Sequence, residues 1–118
     1  MPTTTLSEET ALLAQLVALP SVSGEEQIVA AALQRAATAL GLKVWCNDNG
    51  VFIEVAGRSS GPTLAFLSHI DTVPPGDGWS RNPFGAEVDD GRLFGRGSSD
   101  AKASVAAMLY AAHDLQRS

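Results

Sequence analysis

The fold class depends most on one stretch, Thr63-Leu64-Ala65-Phe66-Leu67-Ser68-His69-Ile70-Asp71. Residues 63–68 are nearly all apolar, which is typical of a central strand that other elements cover on both faces. A turn-forming segment, residues 57–62, precedes this strand, and a long segment rich in Pro, Gly and Asp follows it. The stretch therefore predicts a buried strand whose carboxyl end opens onto a long loop, and loops of this length are usually functional or disordered.

Three helices are predicted around this strand, two before it and one after it. Their predicted limits are Ser7 and Pro20 for the first, Ser23 and Gly41 for the second, and Ala101 and the end of the sequence for the third. The second helix begins at a capping-box pattern, Ser23-Gly24-Glu25-Glu26, in which we expect the Ser23 hydroxyl to accept from the Glu26 amide.

Two hairpins are predicted from alternating patterns around turn residues. The first joins residues 42–46 to residues 51–55 through Asn47-Asp48-Asn49-Gly50. The second is small and joins residues 86–88 to residues 92–94. Strands and helices in this mixture predict an α/β protein.

Composition excludes several classes of protein. The chain has 118 residues, of which 45% are hydrophobic and 18% charged, so it has enough apolar side chains to bury a core. A net charge of −5 argues against nucleic acid as a partner, and the single cysteine, Cys46, excludes an internal disulfide framework. No apolar run approaches the roughly 20 residues of a membrane helix. The N-terminus has no signal-peptide pattern, so we expect no membrane partner and a cytoplasmic location.

His69 and Asp71 lie at the carboxyl end of the predicted strand, where open α/β sheets bind ligands. Alternation along an extended chain sends both side chains to the same side. Either both bind a metal ion directly, or His69 binds it while Asp71 holds the other ring nitrogen. The alternative without a ligand is a hydrogen-bonded histidine at a strand end.

A second candidate is the glycine-rich motif Gly95-Arg96-Gly97-Ser98-Ser99-Asp100-Ala101-Lys102. The dinucleotide fingerprint has glycine where Asp100 stands, and a carboxylate at a helix start repels phosphate, so dinucleotide binding is disfavoured. Asp100 is then either an N-cap or a carboxylate aimed at the cavity that His69 faces. Arg96 and Lys102 either meet a substrate carboxylate or are solvated surface charges.

An imidazole and one or two carboxylates that converge from a strand end and a helix start suit a divalent metal such as zinc. Asp100 has two carboxylate oxygens and can therefore bridge two ions, which lie about 3.5–4 Å apart in two-metal hydrolytic sites. Taken together, the two candidates predict a metal site more strongly than either does alone.

Four motifs in this order resemble the M20 metallopeptidases, a family that includes acetylornithine deacetylases and succinyl-diaminopimelate desuccinylases. The motifs are Ser21-Val22-Ser23-Gly24-Glu25-Glu26, Ser68-His69-Ile70-Asp71-Thr72-Val73-Pro74, Trp79 with Pro83-Phe84, and Gly95-Arg96-Gly97-Ser98-Ser99-Asp100-Ala101-Lys102. The resemblance implies that His69 is a zinc ligand, that Asp71 is the catalytic-site aspartate orienting it, and that Asp100 bridges two zinc ions. Cobalt and manganese are alternatives to zinc. It also implies a cis peptide bond after Asp100 and a three-layer αβα fold with a mixed, mostly parallel central sheet.

The resemblance further implies that residues 1–118 are the N-terminal portion of a catalytic domain. The dimerisation domain and the C-terminal half would then lie outside this sequence, and we expect the intact enzyme to be a homodimer. A Glu-Glu pair, the general base and a metal ligand, is expected about 30 residues beyond Asp100 in such enzymes. Glu25-Glu26 is better explained by helix capping, and His113 by its position in the last turn of a helix.

The function expected from the resemblance is zinc-dependent hydrolysis of the amide bond of N-acyl amino acids, as in acetylornithine deacetylases. The alternatives are a succinyl-diaminopimelate desuccinylase or dipeptidase of the same family and, in another class, a non-catalytic metal-binding or interaction module. We expect the isolated chain to bind zinc weakly and to be inactive, because a catalytic zinc usually has three protein ligands.

Overall fold

The computed structural model describes residues 5–118. Its elements, in chain order, are α1 (Glu8–Val17), α2 (Gln27–Ala39), β1 (Lys43–Asn47), β2 (Gly50–Glu54), β3 (Glu87–Asp89), β4 (Arg92–Phe94) and α3 (Lys102–Arg117). All three predicted helices and both predicted hairpins are therefore confirmed. No helix among these residues is long and apolar enough to cross a membrane.

Local signals set the ends of the first two helices. The Ser7 hydroxyl accepts a hydrogen bond from the Thr10 amide, which confirms Ser7 as the N-cap of α1. At the end of α2, Gly41 has a φ of +75°, which a glycine adopts without steric cost. The amide of Leu42 then reaches back to the carbonyl oxygen of Ala37, which is the Schellman arrangement at a helix end.

The capping box predicted at the start of α2 is wrong. Glu26 itself occupies the N-cap position and makes no side-chain capping bond there. Its carboxylate accepts instead from the Gly24 amide, at 2.7 Å. The Ser23 hydroxyl is directed away from the helix, toward residue 71.

The hydrophobic core lies among the three helices and Leu42, which stands between α2 and β1. It contains ten buried side chains: Leu12, Leu16, Val29, Ala32, Leu33, Ala37, Leu42, Val105, Ala106 and Leu109. The side chain of Lys102, at the start of α3, is buried beside them and is only 1% exposed. Burial of these apolar groups is the main force holding the helices together.

Both sheets are two-stranded and antiparallel. β1 pairs with β2 and packs against α2, and the rings of Trp45 and Phe52 stack on its outer face with centroids 5.5 Å apart. β3 pairs with β4, and Arg81 braces this hairpin by ion pairs to Glu87 and Asp89. A two-stranded sheet is marginal alone, so these contacts stabilise each hairpin.

The central strand predicted over residues 63–68 is absent, and the mostly parallel central sheet is therefore not observed in residues 5–118. The exposed fractions of Leu64, Phe66 and Leu67 are 80%, 75% and 93%. The physical reason is the missing neighbour: a strand needs an adjacent chain for its backbone groups, and no described segment pairs with this one. The parallel pairing observed is an isolated bridge between Val22 and Thr72.

Candidate metal centre

Two segments bring the candidate residues together. His69 and Asp71 lie in the extended chain before the Val22–Thr72 bridge, and Asp100 lies at the end of the turn that leads into α3. The turn packs closely against this segment at Gly97. A Cβ at that position would lie only 2.8 Å from Cγ2 of Thr72. With a φ of +87°, residue 97 favours glycine both for its backbone and for this close approach.

The structure places the imidazole of His69 between two carboxylates. Its Nε2 lies 2.9 Å from Oδ1 of Asp100. Its Nδ1 lies 3.0 Å from the backbone oxygen of Asp71 and 3.3 Å from Oδ1 of that residue. The second carboxylate oxygen of Asp71, Oδ2, accepts a hydrogen bond from the Ser23 hydroxyl. All three predicted site residues therefore meet, and each ring nitrogen faces a different aspartate.

These contacts stabilise charge on both partners. The backbone oxygen of Asp71 and then the carboxylate of Asp100 raise the pKa of His69 above 6.5. The hydrogen bond from Ser23 lowers the pKa of Asp71 below 3.8, because it favours the ionised carboxylate. Both ring nitrogens face oxygens that can only accept, so both contacts favour the protonated form of the imidazole.

The site is an open depression of about 230 Å³. Its lining is formed by His69, Asp71, Thr72, Val73, Arg96 and Asp100. The side chain of Asp100 is 89% exposed and that of His69 is 50% exposed, so both are accessible from solvent. Arg96 supplies the positive charge on the wall, and its guanidinium donates to the Pro75 carbonyl and lies over the Trp79 ring.

The candidate ligand atoms are of types that bind a divalent metal, but they are few. Nε2 of His69 and the Asp100 carboxylate are an imidazole nitrogen and hard oxygens, which zinc accepts. Asp71 is engaged with the other ring nitrogen and with Ser23. Within residues 5–118 there is no group of three or more His, Cys, Asp or Glu side chains placed to hold one ion.

Other residues around the motif have positions that the sequence did not settle. The peptide bond between Asp100 and Ala101 is cis, as the resemblance implies. Lys102 fits neither predicted role, because its Nζ is buried and donates to the carbonyl oxygens of Leu16 and Leu19, each at 2.9 Å. His113 lies apart from the site, in a depression that it shares with Glu8 and Tyr110.

Sequence reasoning missed the contribution of Ser23 to this site. Its position in a capping-box pattern gave a sufficient local explanation, and it lies 48 residues before Asp71. The one available signal was the serine pair of residues 21 and 23, whose alternation puts both hydroxyls on one side of an extended chain.

Comparison with known proteins gives a match to one family over part of the chain. Residues 65–118, which include all three site residues, match peptidase family M20/M25/M40. Over these residues the chain is similar to this family. Among the relatives that the chain resembles, a succinyl-diaminopimelate desuccinylase of Acidiphilium cryptum is 44% identical over 93 residues, covering 77% of this chain and 25% of the relative.

Two further relatives carry the same name. The succinyl-diaminopimelate desuccinylase of Rhodospirillum rubrum is 40% identical over 113 residues, covering 90% of this chain and 29% of the relative. That of Cereibacter sphaeroides strain ATCC 17025 is 42% identical over 111 residues, covering 89% of this chain and 29% of the relative. The chain thus spans between a quarter and a third of the length of the relatives it matches.

Proposed function

We propose that this chain is the N-terminal portion of the catalytic domain of a metal-dependent M20 hydrolase that removes a succinyl group from an amino acid. The names of its relatives support this choice. They favour the desuccinylase alternative over the acetylornithine deacetylase that the motifs first suggested. The substrate would be a small N-succinyl amino acid whose amide bond is hydrolysed.

The observation that carries the proposal is the 2.9 Å approach of His69 Nε2 to the Asp100 carboxylate inside one open depression. A zinc ion accepts ligands of these two types at about 2.0–2.2 Å. When bound, zinc supplies Lewis-acid chemistry, because it withdraws electron density from the carbonyl of the scissile amide.

The chain's own residues would bind the metal and orient the substrate. His69 would bind the metal through Nε2 while Asp71 holds a proton on Nδ1, which fixes the tautomer and the ring plane. Asp100 would offer one oxygen to each of two ions. Arg96, on the wall of the same depression, would attract the free carboxylate of the succinyl group. Among residues 5–118 no glutamate lines this depression, so we expect the general base to come from elsewhere in the longer enzyme.

Zinc titration of the 118-residue chain tests the metal site, with calorimetry as the measurement. We expect weak binding that is lost in His69→Asn and in Asp100→Asn, because each removes one of two donors. His113→Asn is the matched control, since it removes the chain's other histidine and should bind as the wild type does. Equal binding by His69→Asn and the wild type would contradict the proposed site.

The substrate class needs a separate experiment, because the isolated chain offers fewer than the three ligands usual for catalytic zinc. We would replace the matching region of the Acidiphilium cryptum desuccinylase with residues 1–118 and measure succinate release from N-succinyl-diaminopimelate. We expect release by this chimera and none after His69→Asn. A folded, zinc-loaded chimera that releases no succinate would contradict catalysis and favour a non-catalytic metal-binding module.

A further inference from the structure

The segment of residues 21–23 runs parallel to residues 70–72 and holds them by three hydrogen bonds. The Thr72 amide donates to the Ser21 carbonyl at 2.9 Å, and the Ser23 amide donates to the Thr72 carbonyl at 3.2 Å. The buried Ser21 hydroxyl donates to the Ile70 carbonyl at 2.8 Å. The chain that follows His69 is thus fixed by a loop almost 50 positions earlier in the sequence.

The two serine hydroxyls of this loop have different targets. Ser21 is fully buried and bonds only to backbone, so its role is structural. Ser23 is exposed and donates to Oδ2 of Asp71. Because that oxygen is engaged by Ser23, the other oxygen of Asp71 remains directed at Nδ1 of His69, 3.3 Å away.

Without the Ser23 hydrogen bond, the Asp71 carboxylate can adopt more than one orientation. The final side-chain torsion of aspartate is broad and weakly restrained, so a free carboxylate turns toward solvent or toward any nearby cation. The two roles that the sequence leaves open for Asp71 differ only in this orientation. One is to hold the Nδ1 proton of His69, and the other is to bind the metal directly.

We propose that Ser23 is a positioning residue of the metal centre, which commits Asp71 to the Nδ1 side of His69 and so presents Nε2 toward Asp100. The part of the proposal that concerns metal affinity rests on the proposed function, whereas the orientation of the imidazole does not. The backbone oxygen of Asp71 also faces Nδ1, at 3.0 Å, so loss of Ser23 should weaken this arrangement without abolishing it.

The test is the tautomer of His69 in the metal-free 118-residue chain, measured by long-range ¹H–¹⁵N NMR at a pH where the imidazole is neutral. Asp71 at Nδ1 and Asp100 at Nε2 compete for the single proton of the neutral ring, so we expect a larger share of the Nδ1–H form in the wild type than in Ser23→Ala, where the Nε2–H form should clearly rise. Ser23→Thr, which keeps the hydroxyl, should restore the wild-type ratio. The signals are assignable because His113 is the only other histidine in the sequence.

Ser21→Ala is the matched control, because it removes the neighbouring hydroxyl of the same loop. It should lower the stability of the chain while leaving the tautomer of His69 unchanged. An unchanged tautomer ratio in Ser23→Ala, or an equal shift in Ser21→Ala, would overturn the proposal. If Ser23→Ala does not fold, Ser23→Cys, which has similar size and a weaker donor, takes its place.

Zinc affinity then distinguishes the positioning role of Ser23 from the proposed metal site. Outer partners of metal ligands typically change affinity by about 10–100-fold, and Ser23 acts one step further out, so we expect roughly threefold to tenfold weaker binding in Ser23→Ala. A tautomer shift in a chain that binds no zinc would support the positioning role and contradict the metal site. Zinc binding that depends on His69 without any tautomer shift would contradict the positioning role alone.

Discussion

Residues 63–68 and residues 70–72 belong to one continuous segment, yet they have opposite environments. Residues 70–72 have a parallel neighbour in residues 21–23, and Thr72 is only 4% exposed. Residues 63–68 have no pairing partner among the described residues, and Leu67 is 93% exposed. The difference teaches that apolar composition creates a tendency to be buried, whereas a neighbouring backbone decides whether a strand forms.

The largest expected effect separates the packed region from the open one by matched leucine substitutions. Leu16→Ala should lower the free energy of unfolding by about 2–5 kcal/mol, because it leaves a cavity at a fully buried position. Leu67→Ala should change it by less than about 0.5 kcal/mol, because the side chain is already in water. Urea unfolding of both variants measures this; equal losses would mean that residues 63–68 are packed in solution and would break the comparison.

A smaller effect is expected from the same change at two glycines. A Cβ at Gly95 would lie 2.3 Å from Cγ1 of Val17, a fully buried residue, so Gly95→Ala should cost about 1–3 kcal/mol. Gly61, just before residues 63–68, has no atom within 4 Å of such a Cβ and no positive φ. Gly61→Ala should therefore be neutral or slightly stabilising, because it restricts the unfolded chain. Thermal unfolding compares the two variants. If Gly95→Ala is as stable as Gly61→Ala, the chain at Gly95 does not pack on α1.

The smallest expected effect extends the comparison to a buried charge. Burial lowers the pKa of Lys102 to about 8 from 10.5, and the neutral amine still has two N–H groups for the carbonyl oxygens of Leu16 and Leu19. Between these pKa values the unfolded chain binds more protons, so the free energy of unfolding should rise with pH across this range. We expect a gain of about 1–2 kcal/mol, less than the full shift implies, because the carbonyl oxygens partly stabilise the charged form.

Lys102→Met provides the control for that titration. It is less stable at every pH because two carbonyl oxygens lose their donor, but it lacks the gain between pH 8 and pH 10.5. The two proteins differ at this one position, so the difference between their pH profiles isolates Lys102. If the free energy of unfolding changes with pH in the same way in both proteins, burial does not lower the pKa of Lys102.

Prediction from sequence succeeded where the signal is local. The N-cap at Ser7, the end of α2 at Gly41 and the turn at residues 47–50 each depend on residues within one helical turn or one hairpin. It failed at residues 63–68 and at the Ser23 capping box, because in both cases a distant segment, absent or present, decides the outcome.

The sequence by itself determined the helices, the hairpins and the identity of the three candidate site residues, since these follow from periodicity, capping and short motifs. Only the tertiary structure decided which aspartate faces which nitrogen of His69, where the Lys102 ammonium is buried, and that Ser23 serves Asp71 instead of a helix. The physical reason is that these hydrogen bonds join segments far apart in the chain. Packing of the helices brings those segments together, and no local propensity encodes that packing.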